Sequence, residues 1–485
     1  MLNRKPLPRV SPSEVGLRAD VLEEILDGLA ARGEMHSLMI ARHGKVCLEA
    51  FWAPYGPQIR HCLWSQTKSY TATAIGCLVD EGRLSLDEKV AELLAPYMPP
   101  EPCDNLRRMT VRDLLCMATG QRGPQNRTTP EWVKEFFSGT FTDTGKVFGY
   151  SGVVSSLLGV VLRAKTGMGL MEYMTPRVFD KIGIDAATIK WMEHPDGQEY
   201  GGGGLITKTE DNLRLGLLYC GGGVFDGQRV LSSQWVQEAT RKQIETTNDP
   251  DSDGGVGYGY QIWPCRRKGA YRFDGAGGQL VIVDPTLDMV IAITQQTRDG
   301  QGQFNLLWDA LERVEGTGGS DEALRDKCLR LAQPRPTAAP LSPRAAELNG
   351  SYALEDNRLR LYPMTFSVFT HKVPEGISHL TATVLTGETV LELVYGGRPY
   401  TLHISTDGLP RLSELNVAPD IPSQVYATGI WTAEDTFRFR CLFIEGPAAS
   451  DWTLRLTGHG VELTAPSAPA RPEAPTRPPV TVRSI

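Results

Sequence analysis

The chain has 485 residues, of which 41% are hydrophobic and 22% charged, the balance of an ordinary folded protein and not of a disordered or collagen-like one. Fifty basic residues against 57 acidic leave a net charge of −7, and with no Lys/Arg block this argues against nucleic acid as a partner. No apolar run approaches the roughly 18 residues that a membrane span needs, so no membrane partner is expected, and the length suits two to four domains.

The opening segment, Met1-Leu2-Asn3-Arg4-Lys5-Pro6, has two basic residues but no apolar core after them. It does not read as a secretion signal, and the expected compartment is the cytosol. The nine cysteines contain no Cys-x-x-Cys pair, and the eight histidines contain no His-x-x-x-His. Neither a disulfide scaffold nor a metal site is expected.

Residues 11–30 predict a capped amphipathic helix, with a hydroxyl before the first turn and Leu22, Ile25, Leu26 and Leu29 at three- and four-residue steps. Leu38–Arg42 and Lys45–Glu49 are strand-like, and His43-Gly44 between them signals a hairpin. From Ser65 to Gly82 the pattern is helical, with Ala74, Ile75, Leu78 and Val79 on one face. Helical signal broken by Gly and Pro then runs to about residue 240. Strands are expected at 257–263, 280–284 and 289–293, followed by a helix carrying Phe304, Leu306, Leu307, Leu311 and Val314. Helix and hairpin open this region, and strands and a helix close it. Both ends then build one antiparallel sheet flanked by helices, an α+β arrangement with a mostly helical insertion at roughly 80–240.

The first domain is therefore placed at 1–325. A linker at 326–345 follows from Gln333-Pro334-Arg335-Pro336 and the small residues after it. Alternating stretches such as 381–385, 390–394, 400–404, 437–441 and 452–456 make 346–465 an antiparallel β domain. Residues 466–485, rich in proline, read as a tail.

The sharpest local feature is Trp64-Ser65-Gln66-Thr67-Lys68 at a helix start. Ser65 and Lys68 are three apart and share a helix face. A serine hydroxyl becomes a useful nucleophile when a nearby base takes its proton, and a desolvated lysine can serve as that base. Alone, a Ser-x-x-Lys is better described as the capped start of a surface helix.

The blocks around it are more specific. Ser65–Gly76, Glu81–Val90, Met109–Leu115, Phe148-Gly149-Tyr150-Ser151-Gly152, Gly202-Gly203-Gly204-Leu205, Gly221–Gly227, Gly257–Tyr260 and Gly275-Ala276-Gly277-Gly278-Gln279 together resemble the serine β-lactamase and penicillin-recognising superfamily. The nearest branch resembles class C β-lactamase-like esterases, D-aminopeptidases and nylon-oligomer hydrolases. The resemblance spans about residues 11–315. It implies Ser65 as the acylated nucleophile, with Lys68 and Tyr150 as its proton partners. It implies an oxyanion hole from the N–H groups of Ser65 and Ala276, and substrate contacts at Gly152, Gly275, Gly277 and Gln279. No cofactor and no metal are implied.

Two positions depart from that family's pattern. Gly152 stands where an asparagine is common, and Phe273-Asp274-Gly275 replaces the Lys-Thr-Gly or His-x-Gly of relatives. Both changes weaken a β-lactam substrate. The expected function is a serine hydrolase acting through an acyl-enzyme on an ester or amide of a small molecule or short peptide. An acyltransferase using the same Ser/Lys/Tyr site, or an inactive binding scaffold, remains open. The literal Lys165-Thr166-Gly167 lies too close after Tyr150 for the strand role and is expected to end a helix. The β domain is expected to resemble a lipocalin-like barrel, as some D-aminopeptidase-like relatives carry.

Overall fold

The computed structural model describes the chain except residues 1–4, 124, 335–336, 355–375, 417–422, 447, 459, 465–479 and 485. The chain divides into two compact units, Met1–Ala332 and Gln333–Ile485.

In the first unit, α1 (Ala19–Ala30) leads into β1 (Gly33–Arg42) and β2 (Lys45–Phe51). His43 and Gly44 make the turn between them with φ of 53° and 72°, the left-handed pair that a tight hairpin requires. Then come α2 (Thr67–Asp80), α3 (Gly152–Thr166) and α4 (Thr209–Cys220), with shorter helices between them. The unit closes with β3 (Trp263–Pro264), β4 (Tyr271–Gly275), β5 (Gln279–Asp284), β6 (Met289–Thr297) and α5 (Gly300–Leu311). The sheet order is β3-β4-β5-β6-β1-β2, antiparallel throughout. Residues from opposite ends of the unit meet at its centre, where Ile40 faces Ile291.

Strand alternation explains the layers. Leu38, Ile40, Leu280, Ile282, Ile291 and Ile293 pack with α1 and α5 on one face. Met39, Ala41, Val281, Val283, Val290 and Ala292 pack with the helical part on the other. Gly216 of α4 lets that helix sit down on the sheet, since a Cβ there would come 2.5 Å from Val290 Cγ1. α2 is buried from Thr67 to Leu78, as expected of a helix enclosed on all sides.

Three local expectations are corrected. The Ser11 cap opens a separate 3-10 turn, Pro12–Val15, which Gly16 ends at φ 72° before α1 begins. Residues 257–263 are not a strand over their length. Their backbone bonds go to three places, with Tyr258 N–H on Ile244 O, Tyr260 N–H on Ala239 O and Gln261 N–H on Leu115 O, and only Trp263–Pro264 pairs in the sheet. The Tyr/Gly/Ile alternation arose from glycines that let this segment wind past its neighbours: a Cβ on Gly259 would meet Ala239 O at 2.2 Å. Lys165-Thr166-Gly167 does end α3, with Gly167 as a left-handed cap at φ 76°. Among the described residues no single helix is long and apolar enough to cross a membrane.

The second unit is a curled, mainly antiparallel sheet: β7 (Gly350–Leu354), β8 (Ile377–Leu385), β9 (Glu388–Tyr395), β10 (Arg398–Ser405), β11 (Arg411–Glu414), β12 (Gln424–Ala433), β13 (Thr436–Phe443), β14 (Ala448–Thr457), β15 (Gly460–Thr464) and β16 (Val480–Ser484). Its order is β10-β9-β8-β7-β16-β15-β14-β13-β12-β11, and a short parallel pairing also joins β10 to β12. Val480–Ser484, expected as tail, is a strand between β7 and β15; the rest of that expected tail up to residue 479 lies outside the described residues. Its inner side is filled by side chains such as Leu391, Leu402, Phe439 and Trp452, which leave only a small apolar pocket between them.

Candidate active site

A short strand, Arg60–Cys62, carries the chain into a 3-10 turn, Trp64–Gln66, on top of α2. Trp64 takes φ 49°, a left-handed conformation that is costly for a bulky residue and that the surrounding packing must enforce. The turn presents Ser65, partly buried, at the helix start, where the backbone dipole favours developing negative charge. One helical turn on, Lys68 Nζ lies 3.2 Å from Ser65 Oγ and also donates to Gly202 O. Lys68 is 2% exposed. Burial, assisted by the positive charge of Arg127, lowers its pKa from the usual lysine range to about 7.

Tyr150 arrives from the other direction. Ser151 is the N-cap of α3, its Oγ accepting from Val154 N–H at 3.2 Å, so Tyr150 sits just outside that helix start. Its ring centroid lies 5.0 Å from Lys68 Nζ, and Ser65 acts on its hydroxyl electrostatically. Tyr150 is 44% exposed, so the cluster reaches solvent on its side. Desolvation by the surrounding side chains raises its pKa above the phenol range; Ser65 opposes this, and Asp274 and Tyr200 add to it. The pair thus splits: the tyrosine keeps its proton while the lysine gives its up near neutrality.

The glycine block of β4 and β5 lies against the serine turn. A Cβ on Gly275 would come 2.1 Å from Leu63 O and 3.2 Å from Gln66 N, so only glycine lets the strand end approach this closely. Ala276 follows, exposed, with Gly277 and Gly278 turning back at φ 78° and 88°. The turn is anchored by Gln279, whose Nε2 donates to Ala276 O at 3.2 Å and Gln295 O at 2.6 Å, and by Thr297 N–H on Gly277 O at 3.0 Å. Gln279 is fully buried. Its amide is committed to this turn, so it holds the neighbour of the site rather than lining it. Phe273 is buried against Tyr219, ring centroids 5.2 Å apart. On the opposite strand face, Arg272 Nε donates to Asp274 Oδ2 at 2.8 Å.

Ser65, Lys68, Tyr150 and Gly275 therefore come together, and Gly152 stands beside them at the first position of α3. Sequence reasoning missed Arg127 and Tyr200. Arg127 Nη1 donates to Tyr200 Oη at 3.0 Å, and both residues act electrostatically on the cluster. Tyr200 immediately precedes Gly201–Gly204, and that adjacency was the one available signal.

A family model described as beta-lactamase matches residues 22–316, all within the first unit. A 6-aminohexanoate-dimer hydrolase from Paenarthrobacter ureafaciens is 26% identical over 313 residues, covering 58% of this chain and 78% of that protein. A solved structure described as a 6-aminohexanoate-dimer hydrolase from Bacillus anthracis matches with TM-score 0.51 and 19% identity, over 64% of this chain and 89% of its own. A family VIII carboxylesterase matches with TM-score 0.50 and 18% identity, over 61% and 98% respectively. At such identities these two structures speak for the fold.

Proposed function

The chain belongs to the beta-lactamase family, and we propose that it is a serine hydrolase that cleaves an ester or amide of a small molecule or short peptide through an acyl-enzyme on Ser65. The observation carrying this reading is the convergence of three groups: Lys68 Nζ at 3.2 Å from Ser65 Oγ, with the Tyr150 ring centroid 5.0 Å from the same Nζ.

In this reading Ser65 Oγ attacks the substrate carbonyl carbon and its proton passes to neutral Lys68. The resulting oxyanion rests on the N–H groups of Ser65 and Ala276, and donors of this kind are each worth about 10²–10³ in rate. When the bond to the leaving oxygen or nitrogen breaks, Tyr150 supplies the proton and recovers one from Lys68. Water then attacks the acyl ester, gives its proton to the same pair and releases the acid, restoring Ser65. Every proton transfer thus passes through the one lysine–tyrosine pair, with the lysine as acceptor and the tyrosine as donor.

Residue identity narrows the substrate. Gly152 offers no side chain to an acylamide group, and Phe273 provides no cation for a β-lactam carboxylate. Both favour esters and linear amides. The 26%-identical relative is named for an amide dimer, which supports placing linear amides in the first test.

The experiment is incubation with p-nitrophenyl acetate or butyrate, followed by intact mass and peptide mapping. A burst with an adduct on Ser65, absent in Ser65→Ala, supports the reading. A panel of esters, D- and L-aminoacyl amides, linear amides and nitrocefin then ranks substrates. Full activity in Ser65→Ala, or no adduct with any activated ester, overturns it; product partitioning towards an added alcohol or amine would mark an acyltransferase instead.

A further inference from the structure

Residue 152 opens α3 beside Lys68, and another residue occupies the space its side chain would need. A Cβ on Gly152 would stand 2.3 Å from Tyr200 Oη and 3.8 Å from Lys68 Nζ. Tyr200 is 2% exposed. Its backbone is fixed at both ends, N–H to Met192 O at 2.7 Å and C=O from Trp191 Nε1 at 3.1 Å. Its hydroxyl accepts from Arg127 Nη1 at 3.0 Å, and the guanidinium carbon lies 5.8 Å from the ring centroid. The glycines after Tyr200 then back directly onto α3: a Cβ on Gly202 would meet Gly152 O at 2.2 Å. Gly202 O is also the acceptor for Lys68. One loop therefore supplies a phenol in the place of a residue-152 side chain and the carbonyl that holds the lysine.

We infer that Arg127 and Tyr200 form a positioning pair that stands in for the absent side chain at residue 152 and fixes Lys68 against Ser65. The inference rests on the acyl-enzyme reading above. The groups facing Lys68 define how the pair works. Ser65 lies on its own helix start, the Tyr150 ring comes from the entry to α3, and Gly202 O and Tyr200 come from the glycine loop. Arg127 comes from the loop before residue 130 and is the charge that acts on Lys68. Asp274 and Arg272 of β4 act on Tyr150 and are bonded to each other at 2.8 Å. Arg127 is the positive member of this set nearest in effect to the lysine, so it disfavours a second positive charge there. Removing it, or the hydroxyl it holds, lets Lys68 keep its proton to higher pH.

The test measures kcat/KM for a p-nitrophenyl ester across pH, with Ser65 acylation followed by mass, in wild type, Arg127→Gln, Arg127→Lys and Tyr200→Phe. The expected result is an ascending limb displaced upward by about half a pH unit or more in Arg127→Gln. It should return to the wild-type position in Arg127→Lys and move in the same direction in Tyr200→Phe, with acylation slowed several-fold. An unmoved limb in either Arg127→Gln or Tyr200→Phe overturns the inference, as does Arg127→Lys shifting as far as Arg127→Gln. Far-UV circular dichroism checks folding; should Arg127→Gln fail to fold, Tyr200→Phe, which keeps its buried ring, decides. A wild type with no Ser65 adduct sinks the acyl-enzyme reading itself, whereas an adduct with an unmoved limb sinks only the positioning pair.

Discussion

Lys68 and Ser65 meet at 3.2 Å, nitrogen to oxygen, with the lysine 2% exposed. Burial disfavours the ammonium, so the form able to accept the serine proton appears about three units below the ordinary lysine range, at about 7. Esterase kcat/KM should therefore climb as pH rises through about 7 and level off above it. Lys68→Arg keeps the charge but cannot shed a proton, and should lose about 10²–10⁴ in rate. A stopped-flow pH profile with a p-nitrophenyl ester checks both. The same depression carries a sign for stability: between pH 7 and the unfolded lysine value the unfolded chain binds more protons, so Lys68 makes the fold more stable as pH rises through that window.

Tyr150 moves the other way. Its raised pKa keeps it a proton donor through the working range, so the rate should show no descending limb from this phenol below pH about 10. Tyr150→Phe should lower kcat by about 10²–10⁴ while KM changes little, because in the proposed mechanism the hydroxyl acts on the leaving group. Steady-state kinetics with a poor leaving group exposes the loss; an activated ester, which needs less help to depart, should suffer less.

Gly275→Ala places a Cβ 2.1 Å from Leu63 O, a backbone atom that cannot swing aside. The serine turn or the strand end must shift. We expect destabilisation of about 1–3 kcal/mol and about a hundredfold slower acylation, the scale of an ångström-sized displacement. Thermal melts and burst rates on the same samples measure the two effects.

His61, on the short strand leading to Ser65, is buried. Its Nδ1–H donates to Cys62 O at 3.0 Å, which leaves Nε2 to accept from His36 Nδ1 at 2.9 Å. Burial, then His36, holds its pKa well below the ordinary histidine value of 6.5. Below pH 6.5 the unfolded chain takes a proton that the folded one refuses, so stability falls as pH drops through that value and keeps falling until the folded pKa is reached. The slope is up to about 1.4 kcal/mol per pH unit for one such group. Urea unfolding at pH 8 and pH 5 should show a smaller drop in His61→Asn than in wild type.

Ser65 and Lys68 were legible because both sit on one helix, where spacing in sequence is spacing in space. Tyr150 was legible only through the family resemblance, whose motif blocks carry its position; the cap formed by Ser151 after it became visible only in the fold. Gly275 was legible as the last position of the block that stands where relatives carry Lys-Thr-Gly, while its close approach to Leu63 O came only with the fold. Arg127 and Tyr200 carried no such mark, since a loop and a glycine turn far apart in the chain bring them together. The segment 257–263 misled because alternation of Tyr, Gly and Ile looks the same whether the glycines flank a strand or let an irregular segment slip past its neighbours. Val480–Ser484 misled because the prolines before it set the compositional tone, while five residues sufficed to make a strand.

The pairing of Ile40 with Ile291 has a temporal consequence. The segment that bears Ser65 lies inside a loop of about 250 residues, and closing so long a loop costs conformational entropy before any contact repays it. During synthesis Ser65 emerges well before the strand end at Gly275 that packs against its turn, so on the proposed reading it should remain an ordinary hydroxyl until that strand is in place. On the proposed reading, reactivity and completion of the sheet coincide, and a chain lacking Met289–Thr297 should form no adduct on Ser65.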